Sequence, residues 1–171
     1  MKELTGNILE TDCDAICITT NGFVKRNGEC VMGKGIAKQI KQYFPDIAYD
    51  LGQLIKTNGN KVNLIYPSEP DVPAILSYPV KPVRKVCTSH DDYVSHMRFN
   101  IGDMIAGWAC KADPKIIIQS AYQLVELANR HDWKTILIPR VGCGAGELDW
   151  EDTKPLIEPI LDDRFIAMTF K

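Results

Sequence analysis

The stretch Lys134–Trp150, KTILIPRVGCGAGELDW, decides the fold. Its first six residues, Lys134 to Pro139, form an apolar and β-branched run with no polar alternation, the pattern of a strand covered on both faces. The loop Arg140 to Trp150 follows, with glycines at 142, 144 and 146, and a helix is expected from about Glu151 to Leu161. A final strand, Arg164 to Phe170, completes the chain. The same construction occurs upstream. Ala15 to Thr20 (AICITT) reads as a second strand buried on both faces, and Asn21-Gly22 ends it. Then Met32-Gly33-Lys34-Gly35-Ile36-Ala37 leads into a helix whose Ile36, Ala37, Ile40, Tyr43 and Phe44 fall at helical spacing before Pro45 breaks it.

Between and around these stretches the spacing predicts a short opening strand running into Gly6, a helix from Asp46 to Lys56, and strands at Val62 to Tyr66 and Ala74 to Tyr78. The longest helix is expected from Pro114 to His131, with proline at its first turn and Ile117, Ile118, Ala121, Leu124, Val125 and Ala128 on one face. Residues 79–113 read as irregular, and loops of that length inside a compact domain are usually functional or mobile. Strands alternating with helices indicate an α/β sandwich with a mostly parallel sheet.

Composition narrows the partners. The chain has 171 residues, 45% of them hydrophobic, enough for one self-sufficient core, and its net charge of -2 provides no global field to attract nucleic acid. A small pocket can still be locally positive through backbone amides and a few lysines. Six cysteines without a CxxC pair fit a reducing compartment, and a cytoplasmic, untargeted monomer with no membrane segment is the expectation.

Glycines at the carboxyl ends of strands let backbone N–H groups approach oxyanions with no Cβ in the way, and helix amino termini add favourable partial charge. Two such loops facing one crevice are suited to clasp a diphosphate. Neither is a P-loop, because no GxxxxGK[ST] occurs, and the first is too short for a dinucleotide fingerprint. For each loop alone, a plain bend in the chain is the competing explanation.

Taken in order, Gly6-Asn7-Ile8, Asn21, MGKGIA and IPRVGCGAGELDW resemble the signatures of macro domains. The resemblance spans Gly6 to Phe170, interrupted at 79–113. The MGKGIA and GCGxGxLDW forms are most similar to the branch holding terminal ADP-ribose glycohydrolases and the antitoxin-type enzymes that remove ADP-ribose from DNA. It implies one macro domain over residues 1–171, a three-layer α/β/α sandwich with a mixed, mostly parallel sheet. The implied partner is ADP-ribose or an ADP-ribosylated macromolecule, DNA included, with no cofactor and no metal. By the resemblance, Asn7 and the Ile8 amide meet the adenine, which Thr169 and Phe170 border. Thr20 and Asn21 belong to the ligand site, Asn21 at the distal ribose. Met32, Gly33, Lys34, Gly35 and Ile36 lie along that ribose and the diphosphate, while Val141, Gly142, Cys143, Gly144, Ala145, Gly146 and Glu147 wrap the phosphates. Asn7 departs from the commoner aspartate, and turn stabilisation is the alternative role for both asparagines.

In the glycohydrolase branch a lysine just after a strand is catalytic, and Lys81 in SYPVKP resembles it. An amine there can attack the anomeric carbon or assist ring opening once burial or a neighbouring cation lowers its pKa. Arg84 and Lys85 are the cations near it in sequence, and an ordinary solvated basic loop is the competing reading. Some members carry an aspartate where Gly146 stands, so its absence favours the antitoxin-type pattern. Asp149 is expected to cap the following helix. Cys87, His90, Asp91, Asp92 and His96 do not match a metal-binding spacing and read as a polar rim. Cys143 is either a thiol near a helix amino terminus or a small packed residue, and Trp108 and Trp150 either shape the pocket or fill the core, the core being favoured. Three functions remain open: an ADP-ribosyl hydrolase using Lys81, a reader that binds without turnover, and a phosphatase acting on ADP-ribose 1''-phosphate.

Overall fold

The computed structural model describes Met1 to Lys171. Five parallel strands and one antiparallel edge strand form the central sheet. These are β1 (Lys2–Thr5), β2 (Ala15–Thr20), β3 (Leu64–Tyr66), β4 (Ala74–Pro79), β7 (Ile136–Pro139) and β8 (Phe165–Thr169), in the order β1-β8-β7-β2-β4-β3, with β3 antiparallel to β4. The helices are α1 (Gly35–Tyr43), α2 (Ile47–Asn58), α3 (Pro114–His131) and α4 (Trp150–Ile157). None is long and apolar enough to cross a membrane.

The period-2 geometry of a strand divides the core into two layers. Ala15 and Cys17 of β2 pack with Leu76 and Tyr78 of β4, Ile136 and Ile138 of β7 and the apolar faces of α3 and α4. Ile16 and Ile18 point the other way, onto Ala37, Ile40, Ile47, Leu51 and Ile55 of α1 and α2. Each large apolar side chain buried this way contributes roughly 1.5–3 kcal/mol. The three-layer α/β/α sandwich anticipated from the sequence is therefore the one formed. Tyr78 shows how α3 is aligned: its hydroxyl donates to the Ile117 carbonyl at 2.8 Å, and Ser120 Oγ donates to the Pro79 carbonyl at 2.7 Å.

Several expectations need correcting. The segment expected to be irregular contains a two-stranded antiparallel sheet, β5 (Arg84–Val86) with β6 (Met104–Ala106), and short 3-10 turns at His90–Asp92 and Gly107–Ala109. It has a core of its own, made of Cys87, Ile105, Ala109 and Cys110. Asp92 organises it by accepting from Thr88 N, Thr88 Oγ1 and Ser89 N and pairing with Lys85 at 2.6 Å. Its two ends meet where Asp113 N donates to the Val80 carbonyl at 2.8 Å. The two glycine loops are also not equivalent. The first opens α1 directly but is separated from β2 by residues 21–34, whereas the second reaches α4 only at Trp150.

Candidate functional site

A cleft of about 750 Å³ opens at the carboxyl ends of the parallel strands, where open α/β sheets commonly place ligands. Each glycine loop forms part of its wall. Gly33, Lys34, Gly35, Ile36 and Ala37 contribute from the start of α1, and Gly142, Cys143, Gly144, Ala145 and Gly146 from the loop after β7. The amides of Gly33 through Ala37 and of Gly142, Gly144, Ala145 and Gly146 donate to no protein acceptor. Two rows of free donors therefore belong to one crevice, the arrangement suited to an anion.

Two glycines in these rows serve no purpose in the fold. At Gly33 and Gly144 an added Cβ would meet nothing within 4 Å, and neither has a positive φ. Gly142 and Gly146 differ. Gly142 has φ +78, and a Cβ on Gly146 would lie 2.5 Å from the Gly142 carbonyl oxygen and 2.6 Å from Ala112 Cβ. Packing alone thus excludes the aspartate that some resembling proteins carry there.

Lys81 stands just past β4 and is 6% exposed. Its amine donates at 3.0 Å to two carbonyls, Trp108 O from the inserted segment and Ala145 O from the second glycine loop. Asn60 Nδ2 holds the Lys81 carbonyl at 3.0 Å, a contact with no sequence signal, because Asn60 lies 21 residues upstream after the end of α2. The lysine pKa is lowered from 10.5 to about 8, chiefly by burial and in smaller part by Lys34, with Cys110 and Glu147 opposing. The cation was expected from Arg84 and Lys85. Both instead lie exposed on β5, Lys85 committed to Asp92, so the neighbouring charge comes from α1.

The remaining expected residues divide clearly. Ile8, Thr20, Asn21, Met32, Thr169 and Phe170 line the cleft with the glycine loops, whereas Asn7, Val141 and Glu147 do not. Asn7 Oδ1 accepts from Leu9 N at 3.0 Å and Asn21 Oδ1 from Phe23 N at 2.9 Å, so both side chains stabilise turns. Thr20 Oγ1 is buried without a partner. The Glu147 carboxylate faces Ser95 and accepts its N–H and hydroxyl. The Cys143 thiol is pushed up by burial, its sulfur lying 3.4 Å from the Val141 carbonyl, which is an environment for packing and not for a thiolate. Asp149 occupies the N-cap position of α4 but makes no side-chain capping bond.

Further residues complete the wall. Trp108, for which the core was favoured over the pocket, is 37% exposed and lines the cleft from the inserted segment, as does His96; Trp150 is buried and also reaches the cleft. Arg140 joins them, with its guanidinium 5.7 Å from the centre of the Trp150 ring. Lys34, Lys81 and Arg140 against Asp149 make the lining locally positive in a chain of net charge -2.

No protein-family model matches the chain, and no curated protein does. Solved structures do resemble it. The macrodomain of Mycobacterium tuberculosis DarG superposes with a TM-score of 0.70 at 20% identity, covering 98% of this chain and 95% of that one. The macrodomain of Thermus aquaticus DarG gives 0.66 at 21%, covering 99% and 97%. Thermosipho africanus DarTG, solved in complex with ADP-ribose, gives 0.67 at 17%; the match covers 99% of this chain and 42% of that longer one. Layer order, sheet topology and these full-length superpositions agree that the chain has the macrodomain fold.

Proposed function

We propose that this cleft binds ADP-ribose and that the protein hydrolyses the bond joining ADP-ribose to a nucleic-acid or protein acceptor. The observation that carries the binding half is the pair Gly33 and Gly144, glycines that neither packing nor backbone conformation requires, set in two rows of unpartnered amides. Close approach of a ligand's diphosphate gives them a purpose. The adenosine half lies toward Ile8, Thr169 and Phe170 and the distal ribose toward Asn21 and Lys81, which together line one cleft. The shared fold of the neighbour solved with ADP-ribose supports ADP-ribose as the ligand.

The catalytic half rests on Lys81. Trp108 O and Ala145 O both accept from its amine and fix its position in the cleft. The neutral amine satisfies both carbonyls with its two N–H groups and keeps a lone pair directed away from them. Burial lowers the lysine pKa to about 8, so the neutral, nucleophilic form is far more populated near neutral pH than in an ordinary lysine. The amine attacks the anomeric carbon of the distal ribose, the glycosidic bond breaks with its electron pair going to the acceptor, and the proton the amine sheds passes to that acceptor; water then adds its hydroxyl to the anomeric carbon and its proton to the nitrogen, releasing ADP-ribose and regenerating the lysine. Calorimetry with ADP-ribose tests the cleft. Turnover of ADP-ribosylated DNA and protein by wild type and Lys81→Ala tests the chemistry: binding without turnover by the wild type assigns a reader.

A further inference from the structure

Glu147 was expected at the phosphates, yet it does not line the cleft, and its carboxylate faces another way. Both oxygens accept from Ser95 N at 3.0 Å, and Oε2 also accepts from Ser95 Oγ at 2.8 Å. Glu147 adopts φ +61, a left-handed conformation that non-glycine residues rarely adopt without compensation. Ser95 belongs to the inserted segment, next to Val94, whose N–H donates to the Ala109 carbonyl at 3.0 Å. Ala109 adjoins Trp108. The bonds therefore close a ring: Lys81 Nζ to Ala145 O, along the chain to Glu147, across to Ser95 and Val94, across to Ala109, back to Trp108 O and so to Lys81. Both carbonyls that orient the amine belong to this ring. Apart from it, the glycine loop is tied to the inserted segment's end by Ala112 N donating to Gly146 O at 3.0 Å.

We propose that Glu147 is a positioning residue that, through Ser95, locks the second glycine loop to the inserted segment and so aims the Lys81 amine, and that it makes no contact with the ligand. This rests on the reading of Lys81 given above. The titratable groups acting on Lys81 are Lys34 at the N-cap of α1, Cys110 after the Gly107–Ala109 turn, and Glu147 itself.

Lys81 is titrated by NMR on protein carrying lysine labelled at Cε, in wild type, Glu147→Ala, Glu147→Gln and Ser95→Ala, with ADP-ribose calorimetry alongside. Glu147→Ala frees Ala145 O and hydrates the amine, so its titration moves up by at least about half a unit toward the ordinary lysine value. Glu147→Gln keeps an acceptor for Ser95 N and a donor for Ser95 Oγ while removing the charge, so its titration stays in place or moves down. The opposite signs separate the clasp from simple loss of a carboxylate. Ser95→Ala, which keeps the N–H bonds, falls between wild type and Glu147→Ala. On an ADP-ribosylated substrate, Glu147→Ala lowers kcat by about tenfold or more with KM little changed, and Glu147→Gln restores it. ADP-ribose affinity stays within about threefold throughout. An unshifted Lys81 titration in Glu147→Ala overturns the proposal, as does a loss of ADP-ribose affinity beyond tenfold in both Glu147 variants. The titration needs no ligand, so it judges the clasp even if wild type fails to bind ADP-ribose and the functional reading falls.

Discussion

Replacing glycines one at a time by alanine separates what the fold needs from what a ligand needs. In Gly144→Ala the new methyl meets nothing within 4 Å, and the backbone there is open to any residue. Loss of unfolded-state entropy then stabilises the variant by about 0.4–1 kcal/mol. For a chain of this size that raises Tm by roughly 1–4 °C. Gly33→Ala behaves alike, since its Cβ position is equally open. Gly146→Ala is the contrasting control, because its Cβ would sit 2.5 Å from a carbonyl oxygen and 2.6 Å from another Cβ, neither of which can swing aside. Overpacking of that kind costs about 1–3 kcal/mol and lowers Tm by several degrees. A phosphate oxygen bonded to a loop amide must come within about 2.9 Å of the nitrogen, and the methyl at position 33 or 144 blocks that approach. Losing one charge-assisted bond of roughly 1.5–3 kcal/mol weakens ADP-ribose binding about 10- to 150-fold. Thermal denaturation and calorimetry on the same three proteins give both numbers. Gly33→Ala and Gly144→Ala variants that bind ADP-ribose like wild type would refute the diphosphate reading, whatever their stability.

Other outcomes follow from single residues. Lys81→Ala abolishes turnover while ADP-ribose affinity, measured by calorimetry, changes by no more than about fivefold. Because the neutral amine is the active form and its pKa is lowered to about 8, wild-type kcat/KM rises with pH up to about 8 and levels off above it; a flat profile from pH 6 to 9 contradicts the assignment. The Asp92 carboxyl is held well below its ordinary value of 3.8 by its bond to Lys85 and then by the Thr88 amide. Its contribution is therefore present above 3.8 and lost progressively as pH falls below it, so hydrogen-exchange protection of the inserted segment holds at pH 5 and drops as pH falls from 3.8 toward 2, before that of β2 and β7. Asp92→Ala shows the same selective loss at pH 7.

The sequence shows best what repeats a simple period. AICITT and the Pro114–His131 helix were bounded correctly because continuous burial and a regular apolar stripe leave little choice of structure. The glycine loops were legible because glycine is rarely neutral. The inserted segment was not, since β5 and β6 have three residues each, too few for alternation to register. Trp108 and His96 reach the cleft only through that segment's tertiary path, and no local pattern anticipates it. Lys81 stands just past a strand and lines the cleft, but its surroundings differ from the expectation: proximity along the chain suggests Arg84 and Lys85, while folding brings Lys34 from 47 positions away.

The inserted segment has a stem closed by the Asp113–Val80 bond and a small core separate from the two main layers. Such a unit is a natural module for exchange. A chimaera carrying another protein's segment between these stem positions keeps the amide cradle intact and, provided Trp108 O and Ser95 have counterparts, keeps the lysine aimed. What changes is the wall facing whatever ADP-ribose is attached to. On the proposed function, swapping this one loop would retune the acceptor without reworking the nucleotide half of the site.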